Sequence, residues 1–456
     1  MINKISNPLV TVYITNHNYE KYLEKSILSA LNQTYQNFEI IIIDDGSTDN
    51  SKKKIEKFSK NKKVKIIYQK NKGLVISNNI AIKASQGKYI TRLDADDWLH
   101  PNFLQIMIDE AEKNKNCAMI FCDYFIVNQK GQVIDQFYRH EVKKMKLKNQ
   151  PAHGACSLLN VKVLKEIGGY DEQFSCQDGV DLWLSLIKRY KVKNVNLPLF
   201  YYRQHEKSLT KNKIKIFNTR NRILKKHAIK KNRKKKIIAI IPVRGQGYNE
   251  TLVALKKLNN KPIIHNLIEE LDKIGEIKKI IISTPDLSII KNVKKKYSNK
   301  RGIYIDKRAN KLAQMNTSVE NTIKTVIKKY SSTSFQPDLA LIVNVVCPFL
   351  DVSSFEAAIN LSKIFETDEV MAVRKEFDNF YTHSGGGLKP IHNNKNLSME
   401  RNEVYREIGG LRIINTSKVG KTNNSIGHIL LDEKSSFQIK SEEDLLIAKY
   451  ISTKKI

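Results

Sequence analysis

Three short apolar runs in the first hundred residues each lead into a polar or acidic cluster, and this repetition restricts the fold more than any other feature of the chain. Leu9 to Ile14 runs into Thr15-Asn16-His17-Asn18, Phe38 to Ile43 into Asp44-Asp45-Gly46-Ser47-Thr48-Asp49, and Tyr89 to Leu93 into Asp94-Ala95-Asp96-Asp97-Trp98. Between the first two runs Leu23, Ile27 and Leu31 recur every fourth position, the spacing of one helix face. Strand, helix, strand is the opening of a parallel sheet, and such sheets bind ligands in the loops at their strand C-termini. Lys65 to Tyr68 adds a strand and Gly73 to Ala84 a helix; Asn102 to Glu112 and Ala118 to Val127 continue the pattern. The expected class is α/β.

The rhythm starts afresh at Ile237-Ile238-Ala239-Ile240-Ile241, with strands expected at Lys279 to Ser283, Ile303 to Ile305 and Leu339 to Val346. Helices are expected at Ile263 to Ile274, Ser318 to Lys328 and Phe355 to Phe365. At 456 residues more than one core is required. We therefore read a first Rossmann-like domain over 1–210, a basic helical extension and linker over 211–236, and a second Rossmann-like domain over 237–456. The basic extension reads either as a solvated connector or as a surface resting on anionic lipid.

Lys and Arg number 79 against 46 Asp and Glu, a formal charge of +33 that invites a nucleic-acid or membrane reading. The lysines are spread through nearly every segment without interleaved aromatics, so no specific nucleic-acid partner is expected, only peripheral contact with an anionic membrane. Nothing at Met1 to Val10 resembles a signal peptide and no apolar run is long enough to span a bilayer, so a cytoplasmic location is expected, peripheral at the inner face of the membrane. The five cysteines show no CxxC spacing and read as reduced thiols.

The acidic clusters carry the chemistry. Carboxylates crowded at a strand end repel one another unless a cation spreads over them, and oxygen ligands suit Mg2+ or Mn2+. An Asp94-x-Asp96 pair so placed can hold a metal that grips a diphosphate; it also reads as a solvated acidic turn. Asp44 and Asp45 can accept hydrogen bonds from a nucleobase imide or a ribose hydroxyl, or they can belong to a plain turn with Asp49 as N-cap. Further on stand Asp178-Gly179-Val180-Asp181-Leu182-Trp183 and Tyr202-Arg203-Gln204-His205, the latter also legible as a surface strand.

Taken together, Thr15 to Asn18, Leu31-Asn32-Gln33-Thr34-Tyr35, the motif from Asp44 to Asp49, and Asp94 to Trp98 resemble the family 2 inverting glycosyltransferases of the GT-A type. The resemblance implies nucleotide contacts at Thr15, Asn18, Asp44, Asp45 and Asp94, with a divalent metal on Asp96 and His205. It implies a general base at Asp178, with Asp181 supporting the helix it begins. Arg203, Asp181 and Trp183 are the implied contacts for diphosphate or acceptor. The partners would be a nucleotide-sugar donor and a glycan or lipid-linked acceptor, in surface polysaccharide synthesis. Thr15 stands where proline is usual, and Asn78 where arginine often precedes the asparagine matched by Asn79.

The second half resembles the acylneuraminate and Kdo cytidylyltransferases at Ile241 to Gly245, Lys261-Pro262-Ile263-Ile264, Arg308 with Leu312-Ala313, Cys347-Pro348-Phe349, Gly409-Gly410 and Glu442 to Leu445. The family's phosphate-contacting lysines fall on Tyr248 and Val253, its asparagine on Ala254, and its metal-binding Asp-x-Asp on Gln438-Ile439-Lys440. The expectation is a cytidylyltransferase-like fold without nucleotidyl transfer, serving binding, positioning or homo-oligomer formation. Two alternatives stand beside the glycosyltransferase reading: a bifunctional enzyme that also makes a CMP-sugar, and a non-catalytic nucleotide-binding scaffold.

Overall fold

A computed structural model describes residues 7–138, 151–206, 213–231, 234–245, 253–376, 378, 380–383, 385, 387–391 and 404–453. The chain divides into two compact units: Met1–Ile223 with Phe380–Asn402, and Leu224–Asn379 with Glu403–Ile456.

The first unit opens with β1 (Val10–Asn16), α1 (Glu20–Leu31), β2 (Phe38–Asp45), α2 (Ser51–Glu56), β3 (Val64–Gln69), α3 (Leu74–Ala84) and β4 (Tyr89–Asp94). It continues through β5 (Trp98–Leu99), α4 (Phe103–Lys113), β6 (Cys117–Val127), β7 (Val133–Phe137), β8 (Ser157–Asn160), α5 (Val161–Glu166), α6 (Asp178–Leu186) and β9 (Lys191–Arg203). The sheet has nine strands in the order β3-β2-β1-β4-β8-β6-β9-β5, with β7 on β6. β1 to β4 pair in parallel, and β8 runs antiparallel between β4 and β6. Ile40 to Ile43 are all fully buried, as expected of a parallel strand covered on both faces. Leu23, Ile27 and Ala30 of α1 supply part of that cover. The β1 register sets Asn16 beside Asp44 and Thr15 beside Asp94, so the two acidic strand ends flank one polar pair.

Three local expectations change. α2 begins at Ser51 with Asn50 at the capping position, so Asp49 is not its N-cap. Instead Asp49 accepts from the backbone N–H of Ser51 at 3.0 Å and of Glu20 at 3.0 Å, tying two helix starts together. α6 begins at Asp178, which places Asp181 inside its first turn rather than at its start. The segment ending in Arg203 is no surface strand: β9 is 13 residues long, and Arg203 and His205 are 4% and 8% exposed.

The segment expected to be a linker contributes helix α7 (Lys213–Lys230), and the division between units falls within it. The second unit is built on β10 (Ile237–Pro242), β11 (Lys257–Leu258), β12 (Lys261–Pro262), α8 (Ile263–Asp272), β13 (Ile277–Thr284), α9 (Leu287–Tyr297) and β14 (Ile303–Lys307). α10 (Asn310–Ala313), α11 (Val319–Tyr330), β15 (Leu339–Val343), α12 (Val352–Phe365) and β16 (Glu369–Glu376) follow. The hairpin β17 (Tyr381–His383) and β18 (Leu388–Pro390) belongs to the first unit; β19 (Val404–Asn415), β20 (Ile426–Leu430) and α13 (Glu442–Thr453) complete the second. Its sheet runs β14-β13-β10-β15-β19-β16-β20, with β10, β13, β14 and β15 parallel and β19 antiparallel to β15. In both units the first strand lies between the second and the fourth, and an antiparallel strand follows the fourth. Among the described residues no helix is long and apolar enough to cross a membrane.

On the surface of the second unit, burial pushes the Glu269 carboxyl up, but hydrogen bonds from Lys261 and Lys296 outweigh this and hold it down at about 2. A depressed carboxyl contributes stability above its unfolded pKa of 4.5 that is lost as pH falls toward 2. Glu269→Gln is therefore expected to lower Tm at pH 7, and the gap from wild type should close progressively below pH 4.5. Calorimetry across that range checks it; a gap independent of pH would show that the ion pairs contribute nothing.

Candidate active site

The loops at the ends of β1 and β2 are knitted together before any ligand arrives. Asn16 Nδ2 donates to Asp44 Oδ1 at 2.8 Å and to Ser47 Oγ at 2.9 Å. Asn18, in a left-handed conformation with φ 62°, accepts at Oδ1 from the N–H of Thr48 at 2.7 Å. Asp45 accepts from Gln69 Nε2 at 2.7 Å and from the backbone N–H groups of Lys72 and Gly73, both at 2.8 Å. Thr15 lies half-buried at the end of β1. Asp44 and Asp45 thus each hold donors from neighbouring loops. His17 escaped the sequence reading although it sits inside the Thr15 to Asn18 cluster. Its Nδ1–H donates to Asp45 O at 2.9 Å, and its Nε2 accepts from Asn71 Nδ2 at 3.0 Å. Gly46 has φ +74°, and a Cβ there would lie 2.6 Å from Asn71 N.

The acidic turn after β4 concentrates negative charge. Burial raises the Asp94 carboxyl, opposed by Arg92 and reinforced by Asp96. Burial raises the Asp97 carboxyl well above its ordinary value, with Asp96 and Asp94 adding to it. Burial, then Asp96, Asp94 and Asp97, raise the Tyr19 hydroxyl, which places that phenol facing the same turn. Asp96 Oδ2 lies 2.8 Å from His205 Nε2, and His205 is flanked by Tyr22, stacked at 5.5 Å, and Tyr19, edge-on at 5.6 Å. Arg203 Nε donates to Asp96 O at 2.8 Å and Nη1 to Gln129 O at 2.9 Å, while its guanidinium lies over Tyr22 and Trp98. Its backbone N–H reaches Asp97 Oδ1 at 2.8 Å. Arg203 thus holds the turn that carries Asp96.

Asp178 joins this turn through Arg92. Arg92 Nη1 donates to Asp178 Oδ2 at 2.6 Å, and its Nη2 donates to Asp94 Oδ2 at 3.3 Å. Its Nε lies 3.1 Å from Asp94 Oδ1 but off the line of its N–H, an ion-pair contact rather than a hydrogen bond. Asn78 Nδ2 adds a second donor to Asp178 Oδ2 at 3.2 Å, so this departure from the family arginine serves the carboxylate of α6. The next residue back, Ser77, accepts at Oγ from Gln69 Nε2, the amide that also holds Asp45. One turn of α3 thereby links Asp45 to Asp178. Asp181 is 5% exposed in the first turn of α6. Trp183, expected at the diphosphate or acceptor, is 1% exposed and meets Phe121 edge-on at 5.7 Å, enclosed in the core where no substrate reaches it.

Among the described residues no three His, Cys, Asp or Glu side chains converge as a complete metal cage. Mg2+ and Mn2+ need no such cage: one or two carboxylates suffice when substrate phosphates and water fill the remaining positions. The donor set fits that pattern. Asp96 with His205 beside it would offer the ligands, in a turn where burial first and then the crowding of neighbouring carboxylates raise Asp94 and Asp97.

Trp183→Ala is expected to destabilise by about 3–5 kcal/mol, while Trp183→Phe keeps donor KM within about 3-fold of wild type, because the residue acts by packing. Gly46→Ala is expected to cost about 1–3 kcal/mol of local strain, read as weakened nucleotide binding by calorimetry, with the core elsewhere intact. A Gly46→Ala protein that binds nucleotide as wild type does would show that this turn is not part of the pocket.

The Glycosyl transferase family 2 model matches residues 11–168, the span that carries β1 to β4 and both acidic turns. A hyaluronan synthase of Pasteurella multocida is 24% identical over 457 residues, covering 98% of this chain and 40% of that protein. A chondroitin synthase of Escherichia coli is 30% identical over 191 residues, covering 41% of this chain and 28% of that protein. The chain thus spans less than half the length of either synthase. An uncharacterized glycosyltransferase of Rickettsia prowazekii (strain Madrid E) is 31% identical over 234 residues, covering 49% of this chain and 70% of that protein. With that identity held over most of a relative, and the family match laid across the strands that end in the acidic turns, the chain belongs to glycosyl transferase family 2.

Proposed function

We propose that the first unit is a metal-dependent inverting glycosyltransferase that moves a sugar from a nucleotide-sugar donor to a glycan or lipid-linked acceptor. The observation that carries this is the buried bridge from Asp94 through Arg92 to Asp178. It sets a carboxylate from α6 beside the acidic turn of β4, the juxtaposition a displacement at an anomeric carbon requires. Asp178 takes the proton of the acceptor hydroxyl as that oxygen bonds to the anomeric carbon, and the bond to the diphosphate breaks with its electron pair leaving on the phosphate oxygen. Asp96 and His205 would hold the divalent ion, which when bound offsets the charge of the departing diphosphate. Thr15, Asn18, Asp44, Asp45 and Asp94 line the nucleotide side. The hyaluronan and chondroitin synthases among the relatives support a role in surface polysaccharide synthesis. A cytoplasmic setting, with the cationic surface loosely drawn to anionic lipid, is consistent with a lipid-linked acceptor.

For the second unit we propose a cytidylyltransferase-like fold without nucleotidyl transfer, used for positioning or for association with another copy. The positions of a phosphate-contacting lysine and an asparagine are Val253 and Ala254, 2% and 0% exposed in the core; Tyr248 lies outside the described residues. Where a metal-binding Asp-x-Asp belongs, Ile439 is buried and Lys440 is exposed. A cation at that position opposes metal binding.

Incubation with UDP-, GDP-, dTDP- and CMP-sugars and Mn2+ is expected to release one nucleotide in an acceptor-dependent way, and chelation by EDTA should abolish the release. Asp178→Asn should lower kcat by about 10²–10⁴-fold with the fold intact. Release of no nucleotide from any donor would favour a non-catalytic scaffold, and pyrophosphate release from CTP with a nonulosonic acid would restore the bifunctional reading.

A further inference from the structure

We propose that Arg92 is a positioning residue for acceptor activation: it grips Asp178 by one carboxylate oxygen, leaving the other to meet the incoming hydroxyl, and keeps that base in register with Asp94. The proposal rests on the assignment of Asp178 as general base.

The geometry is asymmetric in a useful way. Both donors to Asp178, Arg92 Nη1 and Asn78 Nδ2, go to Oδ2. Oδ1 receives no hydrogen bond from the side chain of any described residue. A carboxylate fixed by a single oxygen keeps its other oxygen available as a proton acceptor, and burial of the pair holds that orientation against rotation. The side chains of Arg92 and Asp178 are 7% and 10% exposed. Both partners stand at element ends: Arg92 two residues before the close of β4, and Asp178 at the first position of α6. A guanidinium is a planar fork able to serve two carboxylates at once, whereas an ammonium is a compact point charge. Here the fork spans Asp178 on one side and Asp94 on the other, across 86 positions of sequence to the former.

The fork is closely packed. A Cβ added at Gly154 would sit 3.2 Å from Arg92 Nη2 and 3.4 Å from its Cζ, tighter than ordinary packing, so the glycine leaves room for the guanidinium plane and little more. Tyr13 and Tyr170, 1% and 4% exposed, enclose the same charge, and each feels Arg92 through its hydroxyl. Removing the cation outright would strand two carboxylates away from water, so the informative substitution keeps the charge and changes only its shape.

The test is a double-mutant cycle on the full chain, with kcat read at saturating donor so that any change in the grip on Asp94 stays in KM. Arg92→Lys is expected to lower kcat by about 10- to 100-fold, the effect of a misplaced base. In the Asp178→Asn background the same substitution should cost less than about 3-fold further, because a residue acting through Asp178 has nothing left to position. Gly154→Ala, which presses on the guanidinium without altering any charge, should behave the same way in its own cycle, and it decides the matter if Arg92→Lys does not fold. Losses that multiply, with Asp178→Asn itself impaired, overturn the proposal alone. An Asp178→Asn enzyme with undiminished kcat overturns the base assignment and this proposal with it.

Discussion

One buried cation organises the first unit. Arg92 lies near the C-terminal end of the interior strand β4 with Asp94 on one side of its guanidinium and Asp178 on the other, and two carboxylates from distant parts of the chain could not approach so closely without it. Burying an ion pair costs desolvation that the mutual attraction recovers only when geometry is good and further donors are satisfied. Asn78 supplies one of those donors, and Tyr13 and Tyr170 close the chamber. The arrangement is weak evidence for stability and strong evidence for register, since it fixes α6 against β4.

The acidic turn shows the complementary logic. Arg203 holds the carbonyl of Asp96 through its guanidinium and the carboxylate of Asp97 through its backbone N–H, and it lies over Tyr22 and Trp98, so the turn is pinned at two successive residues. Raised carboxyls at Asp94 and Asp97 follow from that burial and crowding. The second unit repeats the strand order around its own buried core.

Much of this was legible residue by residue. The apolar runs located β1, β2 and β4 to within a residue or two at their starts, and the acidic clusters fell at their C-terminal ends as parallel topology demands. Asp178 was found by resemblance, and the structure brings it to the acidic turn. His17 was passed over although its polar neighbours pointed to it. Trp183 was read by resemblance as a diphosphate or acceptor contact, but its place on α6 turns it into the core against Phe121. Arg203 was read by resemblance as a diphosphate or acceptor contact, and only the structure shows that it also donates to the carbonyl oxygens of Asp96, Asn128 and Gln129.

What the sequence determined by itself was the period of its apolar residues and the chemical type of the loops between them, because burial and turn formation are local properties of a few neighbouring residues. Which oxygen of Asp178 is held, which cation holds it, and why Gly154 is a glycine were decided only by tertiary structure. Those facts concern groups up to a hundred positions apart, and their energies depend on distance and solvent exclusion, which exist only once β4, α3 and α6 have packed together.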